Sequence, residues 1–329
     1  RLVHSSIALA QENPIYAEQL FHLVPQSLDE LYVHSSQTQP RLESIVAGKI
    51  YTISGEFQMS PNTDPIPIQS TLYRLPNGRL LLINPADFSL KTLSMIEKKV
   101  GGKISTLLTT TSAHSECIER VFGRLSSRGD SEIKLFGTSS FTKHDKQDLP
   151  WHGFITCEED LHDIHPDLES ELSVHPIEGS RLDEVTLFSP KHKVLIGLTD
   201  MVFEPRIRTN RDLGWALYAF GLGMFRGQEA YQAKTPFTQS YFYLFTHDRN
   251  AMRQSIEHLV SGLPWQTAIL GHGGLLKGEK AHQLIAKQYN WLLDDPNWQL
   301  SPLEQLYLPL LWLNEYNLTL DFFVVSVHL

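Results

Sequence analysis

The sequence predicts a four-layer αββα sandwich, an α+β or α/β fold in which helices cover the outer faces of two β-sheets. Two observations predict this fold. Antiparallel strand signals come first and strand–helix alternation follows, and this succession occurs twice along the chain. In addition, no glycine-rich turn follows the first strand, which disfavours a doubly wound nucleotide-binding fold. Extra helices are predicted at the N-terminal and C-terminal ends.

The first half begins with alternating strands and continues with helices between buried strands. The dipeptide Asn77-Gly78 predicts a tight hairpin turn, because both residues tolerate the left-handed backbone of such turns. The helical spacing of residues 90–100 stops at Gly101-Gly102, which is typical of a helix end. The predicted strands lie at 50–53, 69–75, 80–83, 104–108 and 132–136, and the predicted helices at 90–100 and 114–125.

The second half repeats this pattern. Apolar runs on either side of Pro190-Lys191-His192 predict another hairpin, and Asp248 is predicted to cap a helix. Strands are predicted at 172–175, 184–188, 193–198 and 267–270, and helices at 213–225, 250–260, 278–293 and 302–313.

These signals divide the chain into three parts. Residues 1–47 are predicted to be an accessory segment, because an amphipathic helical run at 17–32 precedes the first strand pattern. Residues 48–275 are predicted to form the sandwich. Residues 276–329 are predicted to form a C-terminal helical extension.

The composition is that of a globular protein, with 41% hydrophobic and 20% charged residues. The net charge of −9 argues against nucleic acid as a partner. No uncharged apolar stretch is long enough to span a bilayer, so no membrane partner is expected. Two cysteines, Cys117 and Cys157, cannot build a disulfide framework, and a cytoplasmic location is expected. Ala8-Leu9-Ala10 is similar to a signal-peptidase site, which leaves a trimmed signal peptide as the alternative.

Three loops that follow predicted strands carry the chemically useful side chains. They are residues 109–117, residues 197–200 and residues 269–273. In α/β folds, side chains just past a strand face the crevice in which ligands bind. The loops contain two imidazoles, carboxylates and a thiol, which together can ligate zinc or iron. Each side chain could equally be an ordinary loop residue, and Ser112 could cap the following helix.

The order of these loops resembles that of the metallo-β-lactamase superfamily. There a strand runs into a His-x-His-x-Asp-His loop, a third His follows, and two later strands end in Asp and in Gly-His-Gly. The matching segments here are 107–117, 184–200 and 270–273. More narrowly, residues 48–275 resemble the uncharacterised domain-of-unknown-function family 4336, and the most specific match is Leu198-Thr199-Asp200-Met201-Val202-Phe203.

In the first loop, this resemblance implies replacements at several ligand positions. Ser112 stands at the first His position and His114 at the second, so only the second imidazole is kept. Glu116 stands at the Asp position and Cys117 at the fourth His position. A thiolate can take the place of an imidazole on zinc. Cys117 has a second interpretation, as a small residue that packs its helix against the sheet.

In the later loops, the resemblance implies that Asp200 is the bridging carboxylate and His272 the last histidine. The third His position falls near Ser180, where no imidazole is present, and His175 is the nearest one. A dinuclear site therefore cannot form. The remaining alternatives are no metal, or one zinc or iron ion held by a set drawn from His114, Glu116, Cys117, Asp200 and His272.

Two functions from different classes follow. One is a metal-dependent hydrolase of an ester, lactone, thioester or phosphoester, in which Asp200 orients the attacking water and Glu116 is a ligand or general base. The other is a non-catalytic, metal-free descendant of the fold that binds a small molecule or a protein partner. Arg206 and Arg208 follow the Asp200 strand and could bind an anionic substrate or lie on a solvated loop. No pattern predicts the oligomeric state.

Overall fold

The structure of the chain is a computed structural model. It describes residues 40–57, 66–111, 115–129, 132–139, 149–199, 201–202, 246–271 and 274–294. The helices predicted at 17–32, 213–225 and 302–313 lie outside these residues.

Among the described residues, the first sheet contains seven strands, and each lies beside the strand that follows it in the chain. The first to fourth strands pair antiparallel, each with the next. The fourth to seventh strands pair parallel. These strands are β1 (Arg41–Val46), β2 (Ile50–Phe57), β3 (Ile66–Arg74), β4 (Leu80–Ile83), β5 (Ile104–Leu108), β6 (Lys134–Gly137) and β7 (Gly153–Phe154).

The second sheet contains five strands, also adjacent in chain order. Its strands are β8 (Ser173–Pro176), β9 (Val185–Ser189), β10 (Val194–Leu198), β11 (Thr267–Leu270) and β12 (Leu275–Lys277). Of the pairs that these described strands form, β10 with β11 is parallel and the other three are antiparallel. The antiparallel strands predicted at the start of each half are therefore confirmed, and parallel pairing follows them in each sheet.

Helices precede or follow the parallel strands, as predicted. They are α1 (Leu90–Val100), α2 (Ser115–Ser126), α3 (Leu161–Ile164), α4 (Arg249–Glu257), α5 (Glu279–Gln288) and α6 (Asn290–Leu293). The predicted cap of α4 is confirmed, because the Asp248 carboxylate accepts bonds from the backbone N–H groups of Asn250 and Ala251 at 2.9 and 3.1 Å. Among the described helices, none combines the length and apolarity that crossing a membrane requires.

The hairpin predicted at Asn77-Gly78 joins β3 to β4. Gly78 has φ of +82°, and the Asn77 side-chain oxygen accepts a bond from the Arg79 N–H at 3.0 Å. The turn fixes the register, in which Thr71 pairs with Ile83. All four residues of β4 are consequently buried in the middle of the first sheet.

The two sheets extend past both predicted boundaries of the sandwich. β1 is the edge strand of the first sheet and begins at Arg41, within the segment predicted to be accessory. β12 pairs antiparallel with β11 on the far side of residue 275. Beyond it, Tyr289 and Trp291 are buried in the core that covers the second sheet.

Three hydrophobic cores separate four layers. The core between the sheets includes Tyr73, Leu81, Ile83, Leu108, Leu187 and Ile196. The outer face of the first sheet packs against α1 and α2 through Leu72, Leu80, Leu82, Leu93, Leu107 and Ile118. The outer face of the second sheet packs against α4 and α5 through Leu195, Leu198, Met252, Ile256, Leu270 and Ile285. The order of layers is helix, sheet, sheet, helix, which confirms the predicted αββα sandwich.

We predict that Leu81→Ala and Leu82→Ala each lower the free energy of unfolding by about 2–5 kcal/mol. The two side chains point to opposite faces of β4 and are both fully buried, one between the sheets and one under the helices. Urea denaturation measures the change. Met95→Ala is the control, because that side chain is 49% exposed on α1 and its loss should change stability by less than about 0.5 kcal/mol. A change within the control's range for either leucine would mean that one face of the sheet is not covered.

Candidate functional site

The candidate site lies where the carboxyl ends of the parallel strands meet. β4 and β5 end side by side in the first sheet, and β10 and β11 end side by side in the second. Backbone hydrogen bonds join these two edges across the sandwich. Val185 N–H donates to the Thr110 carbonyl at 2.7 Å, and Gln69 N–H donates to the Gly271 carbonyl at 2.8 Å. The residues that follow β5 are therefore attached to β9 of the second sheet, and those that follow β11 are attached to β3 of the first.

A chain of buried side-chain hydrogen bonds runs through this edge. The Asn84 oxygen accepts a bond from Thr110 N–H, and the Asn84 amide group donates to Thr110 Oγ1, both at 2.8 Å. Thr110 Oγ1 in turn donates to the Gly197 carbonyl at 3.0 Å. Asn84 has φ of +48°, a left-handed conformation that asparagine tolerates better than most residues. This chain of bonds connects the end of β4 to the end of β10.

Gly197 permits the close approach of the two sheets. Its φ is +90°, and a Cβ atom there would lie 2.9 Å from Thr110 Oγ1 and 3.0 Å from Thr110 Cγ2. The pairing of β10 with β11 shifts register between Ile196 and Leu198, so Gly197 forms a β-bulge. Bulges next to functional sites change the direction of the residues that follow them. Here the following residues are those of the predicted Asp200 loop.

The end of β11 is packed against the end of β10 in the same way. Gly271 N–H donates to the Leu198 carbonyl at 2.6 Å. A Cβ atom on Gly271 would lie 2.7 Å from Thr199 Cγ2 and 3.0 Å from Thr199 Cα, so no larger residue fits without movement. The residue that precedes His272 in the sequence is thus fixed against the residues that precede Asp200.

A buried carboxylate holds the loop after β10. Glu184 is 1% exposed. It accepts bonds from Thr199 N–H at 2.9 Å, from Thr199 Oγ1 at 2.8 Å and from Met201 N–H at 3.3 Å. Hydrogen bonds to an ionised acceptor are roughly twice as strong as neutral ones. The Glu184 side chain therefore fixes the residues on both sides of position 200.

A tyrosine from the C-terminal helices holds the same loop from the other side. The Tyr289 hydroxyl donates to the Met201 carbonyl at 2.6 Å, and Tyr289 is fully buried. Burial, and then the negative charge of Glu184, raise the pKa of Tyr289 well above its ordinary value. The hydroxyl consequently stays protonated and available as a donor. Met201 is held at its N–H by Glu184 and at its carbonyl by Tyr289.

Ser180, the residue that the sequence placed near the expected third histidine, has structural hydrogen bonds. Ser180 is buried, and its hydroxyl accepts a bond from Leu182 N–H at 3.1 Å and donates to the Met201 sulfur at 3.6 Å. His175, the nearest imidazole in sequence, has other partners. Its Nδ1 lies 3.1 Å from Nε2 of His258, and its Nε2 lies 2.8 Å from Ser173 Oγ.

Most of the predicted ligands lie outside the described residues. This holds for His114, Asp200 and His272, and for the predicted substrate-binding residues Arg206 and Arg208. Glu116 and Cys117 belong to the first turn of α2, and Cys117 is half-buried and forms no disulfide. Among the residues that the structure describes, no three or more His, Cys, Asp and Glu side chains are grouped so as to hold a metal ion.

Sequence reasoning missed Glu184 and Tyr289. The sequence places Glu184 at the start of a run that is otherwise apolar, and a carboxylate there is a signal of a specific buried partner. Tyr289 lies beyond the predicted end of the sandwich and gives no comparable signal, because aromatic residues are common on helices that cover a core.

Comparison with known proteins supports the fold. No protein-family model matches the chain, and no curated protein matches it in sequence. The crystal structure of VMB-1 at pH 5.5 matches with a TM-score of 0.50 and 12% identity, over 79% of this chain and 99% of that one. The metallo-β-lactamase IND-7 matches with a TM-score of 0.51 and 12% identity, over 76% and 98%. At this identity the likeness shows the fold alone: the chain has the metallo-β-lactamase αββα fold.

We predict that acid destabilises the protein in part through His175. Burial, and then the nearby His258, lower the pKa of His175 from 6.5 to about 4. Between these two values the unfolded chain binds a proton that the folded chain does not, so stability falls as the pH falls from about 6.5 to 4. The contribution is on the order of 1 kcal/mol, because the ring is only half-buried and is screened by solvent.

Urea denaturation at several pH values measures this effect. His175→Gln should reduce the slope of stability against pH in this window, whereas His162→Gln, on an exposed residue of α3, should leave it unchanged. Equal slopes in wild type and His175→Gln would contradict the assignment.

Proposed function

We propose that the protein is a hydrolase that depends on a single metal ion, zinc or iron, and that acts on an ester, lactone, thioester or phosphoester. We also propose that its particular relatives are the domain-of-unknown-function family 4336. The observation that carries the proposal is the set of bonds at the strand ends. Gly271 bonds to Leu198, and the bulge at Gly197 bonds to Thr110. These residues lie within three positions of His272, Asp200 and Ser112.

The donor set suits one ion. Asp200 and His272 are the proposed ligands from the second sheet, and His114, with Glu116 or Cys117, is proposed from the loop after β5. Carboxylate, imidazole and thiolate all bind zinc, and an ion held by three residues of this set keeps a fourth position for water. A bound ion would lower the pKa of that water and polarise the substrate carbonyl or phosphoryl group.

The remaining roles belong to side chains. Asp200 would orient the attacking water, and Glu116 would act as general base when it is not a ligand. Arg206 and Arg208 follow Asp200 closely in the sequence and would pair with a negatively charged substrate. Guanidinium groups bind carboxylate and phosphate through bidentate hydrogen bonds. Neither Cys117 nor Cys157 is in a disulfide, which agrees with the proposed cytoplasmic location.

One observation favours a second candidate, a non-catalytic and metal-free member of the fold that binds a small molecule or a protein partner. The resemblance places the third His position near Ser180, and the Ser180 hydroxyl accepts a bond from Leu182 N–H and donates to the Met201 sulfur. A site that has turned one ligand position into a structural contact has fewer donors for metal. The fold itself does not choose between the two candidates.

We predict that the purified protein binds one equivalent of Zn²⁺, and that Asp200→Ala and His272→Ala each reduce the affinity by more than about 100-fold. Loss of an outer-shell partner alone typically costs 10–100-fold, so loss of a ligand should cost more. Equilibrium dialysis with elemental analysis gives both numbers. His162→Ala, on an exposed histidine of α3, is the control and should bind as wild type does. Two tightly held equivalents would refute the single-ion proposal, and none would favour the second candidate.

We predict that Cys117 is protected from thiol reagents until a chelator is added, because a metal-bound thiolate is a poor nucleophile. Cys157 is exposed and serves as the internal control, since its labelling should not depend on the chelator. Cys117→Ser and Cys117→Ala should both weaken zinc binding if the thiol is a ligand. If Cys117→Ala keeps full metal content and loses only a little stability, Cys117 packs α2 against the sheet instead.

A further inference from the structure

Two residues that are not among the proposed metal ligands, Glu184 and Tyr289, form hydrogen bonds with Thr199 or Met201 after β10. We propose that Glu184 is a positioning residue for Asp200, because it bonds to Thr199 and Met201 on either side of that position, and that Tyr289 is a second anchor, because it bonds to Met201. The inference deepens the proposed function and rests on it for the role of Asp200. The geometry of the anchors is independent of that role.

The carboxylate of Glu184 accepts hydrogen bonds from the residues on both sides of position 200. Two backbone N–H groups, those of Thr199 and Met201, converge on it from positions two residues apart. The hydroxyl of Thr199 adds a third donor at 2.8 Å. The two oxygens of one carboxylate thus accept three hydrogen bonds from Thr199 and Met201.

Burial raises the free-energy cost of breaking these hydrogen bonds. Glu184 is 1% exposed, so water cannot replace a donor that moves away, and the cost of an unpaired buried charge opposes any such movement. Tyr289 adds a bond to the Met201 carbonyl from a separate helical segment. An alternative conformation of the loop would have to break bonds to both residues.

The loop carries the residue on which the proposed metal site depends most. Asp200 stands between Thr199 and Met201 in the sequence, and Glu184 accepts hydrogen bonds from both of these neighbours. A ligand held in advance binds metal more tightly than one that must first be ordered. Glu184 thus acts on the affinity of the site through Asp200, without contacting the ion.

The test compares two buried carboxylates. Glu184→Gln keeps the size of the side chain but replaces one acceptor oxygen by a donor, which cannot receive the N–H groups of the loop. Glu97→Gln is the matched control. Glu97 is 4% exposed, accepts a backbone bond from Ile104 at 2.9 Å and pairs with Arg128 at 2.6 Å, but it lies on α1 behind the first sheet.

Amide hydrogen exchange, resolved by residue and measured without metal, reports the anchoring. Glu184→Gln should speed exchange of the Thr199 and Met201 amides by about tenfold or more, while the Leu187 amide of β9 changes little. Glu97→Gln should affect the Ile104 amide and leave Thr199 and Met201 unchanged. Unchanged exchange at Thr199 and Met201 in Glu184→Gln, or equal acceleration in Glu97→Gln, would overturn the inference.

Zinc titration reports the positioning. Glu184→Gln should lower the affinity for Zn²⁺ by about 10–100-fold, the usual effect of losing a partner that orients a ligand, and Glu97→Gln should not. If wild type binds zinc and Glu184→Gln binds it equally well, the inference fails while the proposed function stands. If wild type binds no zinc, the proposed function fails and the exchange rates alone decide whether Glu184 anchors the loop.

Tyr289→Phe is a second test variant, which keeps the inference testable if Glu184→Gln does not fold. It keeps the aromatic ring in the core and removes only the hydroxyl that donates to Met201. Its exchange at Met201 and its zinc affinity should lie between those of wild type and Glu184→Gln. Values identical to wild type would exclude Tyr289 as an anchor and overturn that part of the inference.

Discussion

The fold depends on burying both faces of two sheets at once. The strands of a sheet with one solvent-exposed face can alternate apolar and polar residues. The strands of a sheet that is covered on both faces, as in a four-layer sandwich, cannot. β4, β5, β9 and β10 are buried along their whole length, and each therefore has to be apolar on both faces or to satisfy its polar groups internally. This constraint requires a helical layer outside each sheet, and it makes the helices after β12 part of the fold.

The same constraint confines the chemistry to the strand ends. Where the strands stop, the chain can turn and offer side chains with hydrogen-bonding groups. Here those groups first serve the protein itself: Asn84, Thr110 and Glu184 each accept or donate bonds that join one strand end to the next. The candidate site is therefore a bonded framework, and the proposed ligands are the residues that this framework carries.

The sequence predicted an element correctly where its local residue pattern agrees with its surroundings in the folded protein. The turn at Asn77-Gly78, the cap at Asp248 and the buried strands were predicted because each is set by a few neighbouring residues. β1 was missed for a physical reason. Its exposed Arg41 and its partner Glu43 belong to an edge strand, where charged residues prevent pairing with other chains and erase the alternation that marks a strand.

The site was predicted only as a set of positions. The resemblance pointed to the loops after β5, β10 and β11, and their flanking residues do bond to one another. What it could not supply were contacts between residues far apart in sequence. Glu184 to Met201 and Tyr289 to Met201 are such contacts, and the place of His175 beside His258 is another. No local periodicity encodes them.

The bonds of Glu184 and Tyr289 to one loop have a consequence for how such a chain can diverge. In proteins whose loops are shaped by a bound ion, loss of one ligand also loses the loop, and few intermediate sequences survive. In this chain, Thr199 and Met201 are bonded to a carboxylate and a phenol of the scaffold, those of Glu184 and Tyr289. These bonds need no ion, so we expect that residues near the strand ends can be exchanged one at a time while the sandwich remains intact.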